Sequence, residues 1–487
     1  MQPTFDLHAL APEIALSITV LVVLVVDAFL PRPQRWMALP LGVLGLLVTL
    51  ATVFTLLGES RDAVTGASAA GGGYVVDDFA LLFKGFFLIV GVATLLLSGR
   101  FTASGTAYPG EYTFLLLSSI LGCLVVPSVR DLLTLFIAIE LVSAPAFLLA
   151  AFRKRDLRSN EAGLKFFLFG VVASAVMLYG MSLLYGLTGT VSFGPMATAL
   201  AGPIGTEPVA VAAVLFVLGG LMFKISAVPF HFWAPDTYEG APTPVAAFLS
   251  VASKAAGFVG LALLCFLAFP AVWEYWTPIL AIVSMLTMTL GNLVALQQRQ
   301  MVRLLSYSSI AQAGYMLLPL ALVGTAPAAD ALSAVVIYIL IYAAMNLGAF
   351  AVVIGMSKDA PEQRITDYTG LLRRAPLAGI AMSAFLVSLA GIPPTAGFWA
   401  KFFIFRVAIE AGGMGPWLAG FMVVNSVVAL FYYLSVVRTM LRTEGVEDAA
   451  PLSIPRAVQV VIGVSLVLIV VWFVLPDLVV NLTRFAG

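Results

Sequence analysis

Charge is scarce in this sequence. Only 10% of the 487 residues are Asp, Glu, Lys or Arg, and 61% are hydrophobic, whereas an average soluble domain carries about 25% charged residues. This composition excludes a soluble globular protein and predicts a polytopic membrane protein, because long apolar stretches are stable in lipid. The 25 basic and 25 acidic residues balance, and without a basic patch we expect no nucleic-acid partner.

Cysteines and cofactor motifs are equally scarce. The two cysteines, Cys123 and Cys265, lie far apart in apolar runs, so they form no iron–sulfur or zinc spacing and are interpreted as small core residues. The sequence has no G-x-x-x-x-G-K-[ST] motif, dinucleotide fingerprint or zinc motif. We therefore expect no cofactor, metal or redox centre in this chain. Energy for any transport must come from an ion gradient or a partner chain.

Apolar runs of the length that crosses a bilayer, about 20 residues, are abundant. They predict an all-α polytopic membrane protein with about fourteen transmembrane helices. The predicted spans are 11–30, 37–58, 79–99, 111–128, 131–152, 161–187, 208–234, 243–269, 275–297, 302–324, 330–356, 376–410, 415–441 and 457–482. The longest connection, Gly58 to Asp78, is rich in glycine and predicts a loop.

The distribution of positive charge predicts the orientation of these helices. With the N-terminus outside, sixteen of the 25 Lys and Arg residues fall in inside loops, three in outside segments and six within spans. Loops rich in Lys and Arg face the cytoplasm, so the asymmetry predicts that both termini lie on the outer side. We expect a bacterial inner membrane with both termini in the periplasm.

Proline and glycine interrupt two of the predicted spans. The seventh reads GLMFKISAVPFHFWAPDTYEGAPTP and the twelfth reads SLAGIPPTAGFWAKFFIF. Proline removes a backbone donor, and in lipid such a break survives only where protein or a wet cavity satisfies the freed groups. Each break lies close to a lysine, Lys224 or Lys401. Paired interrupted helices indicate a transport site built from inverted repeats, here of five helices each.

This spacing predicts four regions along the chain. They are a three-helix region at 1–110, a first inverted repeat of helices 4–8 at 111–269, a second inverted repeat of helices 9–13 at 270–443 and a C-terminal helix at 444–487. Because the repeat unit has an odd number of helices, the two repeats should have opposite orientations in the membrane.

Ionisable side chains inside apolar spans are the strongest site candidates. Four lie deep in their spans: Glu140, Lys224, Lys254 and Lys401. A charge there costs about 2.5–3.5 kcal/mol on insertion scales. Burial favours a neutral lysine and a nearby carboxylate favours a charged one, so a Glu140–Lys224 pair would let small movements switch the lysine between states. A structural ion pair between helices is the alternative for Glu140.

Two further residues are candidates for proton transfer. Lys165 follows Glu161 by four residues near the inside end of the sixth span, so reaching to the membrane interface is its alternative role. His231 follows Pro229 at the first break and is either a relay or a hydrogen-bonded core residue.

The remaining charges fit structural roles better. Lys84 lies near two aspartates and is expected to reach the interface or form a surface pair. Arg406 either lines an exit to the outside or pairs with Glu410. Asp236 and Glu239 follow the seventh span and are expected to cap a helix or to lie in a loop.

Three segments resemble a known family. KISAVPFHFWAPDTYEGAPTPVAAFLSVASKAAGF, RLLSYSSIAQAGYM and GIPPTAGFWAKF are similar to the proton-translocating membrane module shared by the antiporter-like subunits of respiratory complex I and by Mrp-type cation/proton antiporters. The similarity covers most of the chain, spans 4 to 13 especially. It implies two inverted five-helix repeats with helices 7 and 12 broken, and proton translocation driven by redox chemistry in other subunits.

The resemblance implies roles for individual residues. Glu140 and Lys224 match the glutamate–lysine pair of one half-channel. Lys254 matches the connecting lysine, and Lys401 matches the exit-side residue of the other half-channel.

Other positions refine the resemblance. Lys165 and His231 fall where the family has polar relay groups. Gln312 stands where relatives often have histidine, and because glutamine does not titrate we assign it no proton transfer. Lysine at 401 disfavours the M-type branch, and the lack of a long C-terminal extension disfavours the L-type branch. The N-terminal LAPEIAL also resembles the N-type branch.

Membership in this family implies partners and cofactors. We expect other membrane-arm subunits as partners, including antiporter-like relatives, with flavin, iron–sulfur clusters and quinone held by partner subunits. Two other functions stay open. One is an Mrp-type Na⁺/H⁺ antiporter subunit, which needs no NADH-oxidising partner. The other is a structural membrane subunit with a vestigial channel, against which the full set of buried lysines argues.

Overall fold

The computed structural model describes residues 4–58, 60–65, 73–103, 108–442 and 452–483. The loop predicted at Gly58–Asp78 lies partly outside these residues. Its described ends contribute to two short antiparallel pairs: β1 (Thr4–Phe5) pairs with β3 (Val64–Thr65), and β2 (Arg61–Asp62) pairs with β4 (Val75–Val76). The first pair joins the N-terminal segment to the connection between the second and third spans, and the second pair lies within that connection.

Helices make up nearly all of the described chain. They are α1 Ala11–Phe29, α2 Ala38–Phe54, α3 Asp78–Thr102, α4 Pro109–Val125, α5 Leu132–Ala150, α6 Leu157–Thr188, α7 Phe193–Leu200, α8 Pro208–Lys224, α9 Trp233–Gly240, α10 Thr243–Phe248, α11 Lys254–Leu263, α12 Trp273–Ala295, α13 Met301–Leu320, α14 Ala328–Met356, α15 Leu371–Arg374, α16 Pro376–Ala390, α17 Ala396–Glu410, α18 Gly415–Leu441, α19 Arg456–Val474 and α20 Asp477–Thr483. Two π-helical segments, Leu249–Ser253 and Leu264–Ala268, flank α11.

Eleven helical segments in the described part of the chain are long and apolar enough to cross a membrane. Two shorter apolar helices, α8 and α16, occupy the predicted seventh and twelfth spans. The all-α membrane fold is confirmed. The count of fourteen spans and the inverted repeats stay predictions.

The seventh and twelfth spans are broken as the proline pattern indicates. Helix α8 ends at Lys224 and α9 begins at Trp233, while α16 ends at Ala390 and α17 begins at Ala396. Each break contains a cis peptide bond before proline, and Gly391 ends α16 with φ +87°. A left-handed residue after the last helical turn is a common helix stop, which favours glycine there.

Protein groups bind several backbone atoms freed at the two breaks. The indole Nε1 of Trp233 donates to Phe223 O at 3.1 Å. The backbone N–H of Val228 donates to Thr287 Oγ1 at 3.0 Å. At the second break, the N–H of Gly397 donates to Ser388 Oγ at 3.1 Å. These bonds make the interruptions compatible with a position inside the bundle.

Helix α14 lies at the centre of the bundle and α1 at its edge. The most apolar 18-residue window of α14 is 100% buried, against 22% for α1. Helix α14 packs against α13, α16, α17 and α19. The side chains that α14 directs at these neighbours are therefore buried inside the bundle.

Candidate functional site

Three of the predicted lysines are almost completely buried. Lys224, Lys254 and Lys401 are 3%, 2% and 7% exposed. Glu140 on α5 is half-buried. A buried ammonium needs hydrogen-bond acceptors, because its desolvation is otherwise too costly. The identity of those acceptors therefore describes the site.

Lys224, the last residue of α8, is held by a hydroxyl. Its Nζ donates to Ser143 Oγ at 2.8 Å, and Ser143 donates in turn to Ile139 O at 2.6 Å. Glu140, one turn before Ser143 on α5, instead accepts from Ser174 Oγ at 2.5 Å. Within the described chain Glu140 and Lys224 form no direct ion pair. The two lie near one another, each bonded to a serine.

Lys254 contacts the neighbouring helix α13. It follows directly after the first π-helical segment, a local distortion that is frequent at functional sites. Its Nζ donates to Ser309 O at 2.7 Å and to Ser309 Oγ at 2.5 Å. The hydroxyl of Tyr342 on α14 donates to the same Oγ at 2.9 Å. Lys254 is thus bound by neutral acceptors only.

Lys401 on α17 reaches back to the second break. Its Nζ donates to Ala390 O at 2.8 Å, the carbonyl of the last residue of α16, and lies 4.6 Å from the centre of the Tyr315 ring. The C-terminal end of a helix carries partial negative charge, and an aromatic face attracts cations. A Cβ at Gly391 would lie 2.6 Å from Lys401 Cδ, so glycine leaves room for the lysine stem.

Hydrogen-bonded side chains lie between Lys254 and Lys401. Ser308, next to Ser309, bonds the Tyr433 hydroxyl at 2.5 Å. Gln312, one turn further along α13, donates to Tyr433 at 3.3 Å and to Leu389 O at 3.1 Å. Leu389 precedes Ala390, the acceptor of Lys401. These bonds therefore connect Lys254 to Lys401 except at two points. At each point the series passes between adjacent residues, from Ser309 to Ser308 and from Leu389 to Ala390.

Gln312 has a further partner and belongs to this polar series. Its Oε1 accepts from the Tyr338 hydroxyl of α14. Sequence reasoning did not identify Ser143, Ser309 or Tyr433, because their partners lie on distant helices. The many Ser, Tyr and Gln residues in RLLSYSSIAQAGYM are the sequence signal that could have indicated Ser309 on α13.

Lys224 and Lys254 are close but not hydrogen-bonded to one another. The described bonds do not join them. A Cβ at Gly257, one turn after Lys254 on α11, would lie 3.1 Å from Lys224 Cγ. The stem of Lys224 therefore packs against the helix that carries Lys254.

Lys165 lies in a cluster of five charges near the start of α6. Its Nζ is 2.6 Å from Glu161 and 2.7 Å from Asp236, and Arg303 bonds both Asp236 and Glu239 at 3.0 and 2.6 Å. Burial opposes ionisation of Asp236, but Lys165 and Arg303 outweigh it and hold its pKa below the usual value.

The expectation that Asp236 and Glu239 cap a helix or lie in a loop is wrong. Both lie within α9 and form ion pairs that join it to α6 and α13. Local sequence could not show this, because Arg303 is more than 60 positions away along the chain.

His231 lies in the first break. It is 4% exposed, its ring packs on Phe232 with 4.3 Å between centroids, and its Nδ1 has no hydrogen-bond partner among the described residues. The described bonds connect it to neither Lys224 nor Lys254. Its relay role stays a prediction.

The expectation that Lys84 reaches the interface or forms a surface pair is wrong. Of the two alternatives for Arg406, the structure shows the pair with Glu410. Lys84 is 0% exposed and forms an ion pair with Glu13 of α1 at 2.7 Å, so it neither reaches the interface nor pairs at the surface. Asp77 binds Arg130 instead, at 2.5 Å. Arg406 pairs with Glu410 at 3.0 Å, and both are exposed.

Both cysteines are free and buried. Across the described residues, no group of three or more His, Cys, Asp or Glu side chains is arranged to hold a metal ion.

Residues 129–429 match the family model described as NADH:quinone oxidoreductase/Mrp antiporter, TM. This segment contains all six candidate proton-transfer residues. The chain belongs to this family. The NADH-quinone oxidoreductase subunit N 2 of Streptomyces griseus subsp. griseus is 44% identical over 441 residues, which cover 88% of this chain and 82% of the relative.

Solved structures have the same fold as this family member. A chain of respiratory complex I from Thermus thermophilus is 31% identical, covers 96% of this chain and 98% of its own length, and has a TM-score of 0.79. A chain of the Mrp complex from Dietzia sp. DQ12-45-1b has a TM-score of 0.84 at 20% identity, covering 99% and 97%. At that identity, the second likeness shows the fold alone.

Proposed function

We propose that this chain is the N-type membrane subunit of a bacterial proton-translocating NADH:quinone oxidoreductase, and that it carries protons through its own buried side chains. The curated relative from Streptomyces griseus and the complex I chain support the choice of this branch. The chain is a non-redox part of a translocase, so the energy comes from electron transfer in other subunits.

The path runs along the membrane plane. Protons enter from the cytoplasmic side, load Lys224 and Lys254 in turn, pass through Ser308, Tyr433 and water to Lys401, and leave on the outer side. Lys165 and His231 serve as polar relay groups on the entry side. The observation that carries the proposal is the hydrogen-bonded series between Lys254 and Lys401 in the bundle interior.

Glu140 controls the first lysine without touching it. Small movements of α5 change its distance to Lys224 and therefore the stability of the ammonium there. The serine bonded to each residue can rotate, which keeps both charged and neutral forms of Lys224 hydrogen-bonded. Movements in a neighbouring subunit would reach the path through this carboxylate.

The assembly and location follow from the same assignment. Other membrane-arm subunits, including antiporter-like relatives, are the partners, and flavin, iron–sulfur clusters and quinone reside in partner subunits. The chain lies in the bacterial inner membrane with both termini in the periplasm. Its four regions are 1–110, 111–269, 270–443 and 444–487, with the two central regions as inverted repeats.

The test is proton pumping by the assembled enzyme in proteoliposomes. Lys224→Ala and Glu140→Ala should each lower NADH-driven proton uptake while leaving assembly intact. Lys154→Ala is the matched control, since this exposed lysine contacts Glu111 and the Tyr108 ring at the surface. If both core variants assemble and pump at the wild-type level, the role assigned to the pair is wrong.

An Mrp-type Na⁺/H⁺ antiporter subunit is the second candidate, because the description of the matched family names the Mrp antiporter beside NADH:quinone oxidoreductase. Purification in mild detergent separates the two. Flavin and iron–sulfur subunits that co-purify support the oxidoreductase. Their absence, together with Na⁺-dependent proton exchange, supports the antiporter. If lysine variants impair assembly alone and never pumping, the chain is a structural subunit with a vestigial channel.

A further inference from the structure

A cavity of 360 Å³ lies at one end of the bundle, away from the lysine path. It is bounded by the ends of α3 and α14, the turn after α5 and the start of α10. The lining residues are Arg100, Phe101, Arg153, Thr243, Pro244, Ile354, Ser357 and Lys358. The positive-inside rule assigns this end of the bundle to the cytoplasm.

Three cations converge on this cavity from three separate segments. Arg100, Arg153 and Lys358 line it, and no acidic residue is among the described lining residues. In the described ion pairs, one carboxylate reaches these three cations: Asp156 lies 3.8 Å from the Arg153 guanidinium. The Asp156 side chain is itself partly exposed. Among the described ion pairs, Arg153 has this one long contact and Arg100 and Lys358 have none. Positive charges held close together repel one another, and an anion bound among them would lower that cost.

Two of the cations are held in place. Arg100 is half-buried and donates to Gly355 O at 3.1 Å. The guanidinium of Arg153 lies 5.8 Å from the centre of the Phe101 ring. A positioned guanidinium loses less side-chain entropy on binding and keeps N–H groups free for a bidentate contact.

The start of α10 adds to the positive potential. Thr243 and Pro244 begin a helical segment that continues to Ala268, and both line the cavity. The N-terminus of a long helix carries partial positive charge and attracts anions. The Thr243 hydroxyl is a further donor at the cavity wall.

We propose that this cavity is a binding site for a phosphate group. Guanidinium groups match phosphate oxygens in geometry and charge, and a lysine adds a third positive contact. The volume is about ten times the share of one liquid water, so it holds a phosphate together with a small attached group. The phosphate belongs either to an anionic lipid headgroup or to a soluble phosphate compound.

Binding is tested on the purified full chain in neutral detergent, by native mass spectrometry and by thermal shift. The lipid probe is phosphatidylglycerol, with phosphatidylcholine as the zwitterionic reference. The soluble probe is inorganic phosphate at constant ionic strength, with chloride as the reference. Arg100→Gln and Lys358→Gln each remove one of the three positive charges, and the double variant removes two. Arg442→Gln is the matched control, since it is exposed at the end of α18.

The double variant should weaken binding by about 100-fold, since each charge-assisted contact contributes about tenfold, whereas Arg442→Gln should bind like the wild type. Saturable binding of phosphatidylglycerol alone supports the site and identifies a lipid. Saturable binding of inorganic phosphate alone supports it and identifies a soluble compound. Equal binding by the double variant and Arg442→Gln overturns the proposal, as does the absence of saturable binding to either probe.

Discussion

Lys84 in the N-terminal helices and Lys254 in the central bundle are equally buried but have different partners. Lys84 faces a carboxylate, Glu13, which also accepts from the Tyr74 hydroxyl at 2.6 Å. Lys254 faces only the carbonyl and hydroxyl of Ser309. Lys401 likewise has a carbonyl and an aromatic ring.

Under the proposed function, this difference distinguishes the structural Lys84 from the proton-carrying Lys254 and Lys401. A carboxylate beside a buried ammonium strongly favours the charged form, because loss of the proton would leave an unpaired buried anion. Neutral acceptors support the ammonium less strongly, so its charged and neutral forms are closer in free energy. Burial alone therefore does not distinguish Lys84 from Lys254, whereas the bonding partner does.

Lys224 lies between these cases. Its direct acceptor is the neutral Ser143, while Glu140 lies nearby without contact. A carboxylate at intermediate distance shifts the balance between the two forms without fixing it. This arrangement suits a residue whose charge must respond to its surroundings.

The largest expected effect concerns Lys84. Lys84→Met should lower the free energy of unfolding by about 3–5 kcal/mol, because the buried Glu13 carboxylate loses its counter-ion and keeps only the Tyr74 hydroxyl as a described partner. Lys84→Met combined with Glu13→Leu should recover most of the loss. Chemical unfolding in detergent measures both. A Lys84→Met chain of wild-type stability that no longer supports pumping would contradict the structural role.

Replacing Lys401 or Lys254 should affect proton pumping strongly and stability little, the opposite of the effect expected at Lys84. Lys401→Met should leave stability within about 1 kcal/mol of the wild type, because no buried carboxylate loses a partner. Proton pumping should fall by about 100-fold, the lower end of the range for groups that transfer protons. Lys254→Met should give the same two results, nearly unchanged stability and strongly reduced pumping. Both are measured by NADH-driven proton uptake and by unfolding of the same preparations.

Replacing Lys401 by arginine tests whether this position needs a positive charge or a proton that can be released. Lys401→Arg keeps the positive charge but cannot release a proton, so it should pump as poorly as Lys401→Met. Lys154→Arg at the surface controls for the change of side chain. Wild-type pumping by Lys401→Arg would show that the position needs a fixed charge alone.

Sequence alone predicts the fold class, the two breaks and the depth of three lysines. These follow from apolar run length and proline position, which are local properties. It cannot predict partners, which depend on how distant helices pack. Lys84 illustrates this limit: Asp77 and Asp78 are its neighbours in sequence, yet its partner Glu13 lies 71 positions away on α1. The serine that binds Lys224 was missed for the same reason.

Removing the acceptor of Lys224 should have a moderate effect. In Ser143→Ala the ammonium loses its described hydrogen bond, and a bond to a charged group contributes about 1.5–3 kcal/mol. Pumping should fall by about tenfold, the effect of 1.4 kcal/mol on a rate. Ser143→Thr retains the hydroxyl and should restore most activity. Equal loss in both variants would indicate a packing defect and would contradict the assigned bond.

The smallest effect is expected in the series between the lysines. Tyr433→Phe removes the hydroxyl that joins Ser308 to Gln312, at a cost of about 1 kcal/mol for a neutral bond. If protons pass this hydroxyl, pumping should fall by about fivefold. Tyr368→Phe is the matched control, because it also removes a buried tyrosine hydroxyl, whose described bond is to Gln363 and not to a side chain of this series. Equal proton uptake by the two variants would remove Tyr433 from the path and leave water to connect Lys254 with Lys401.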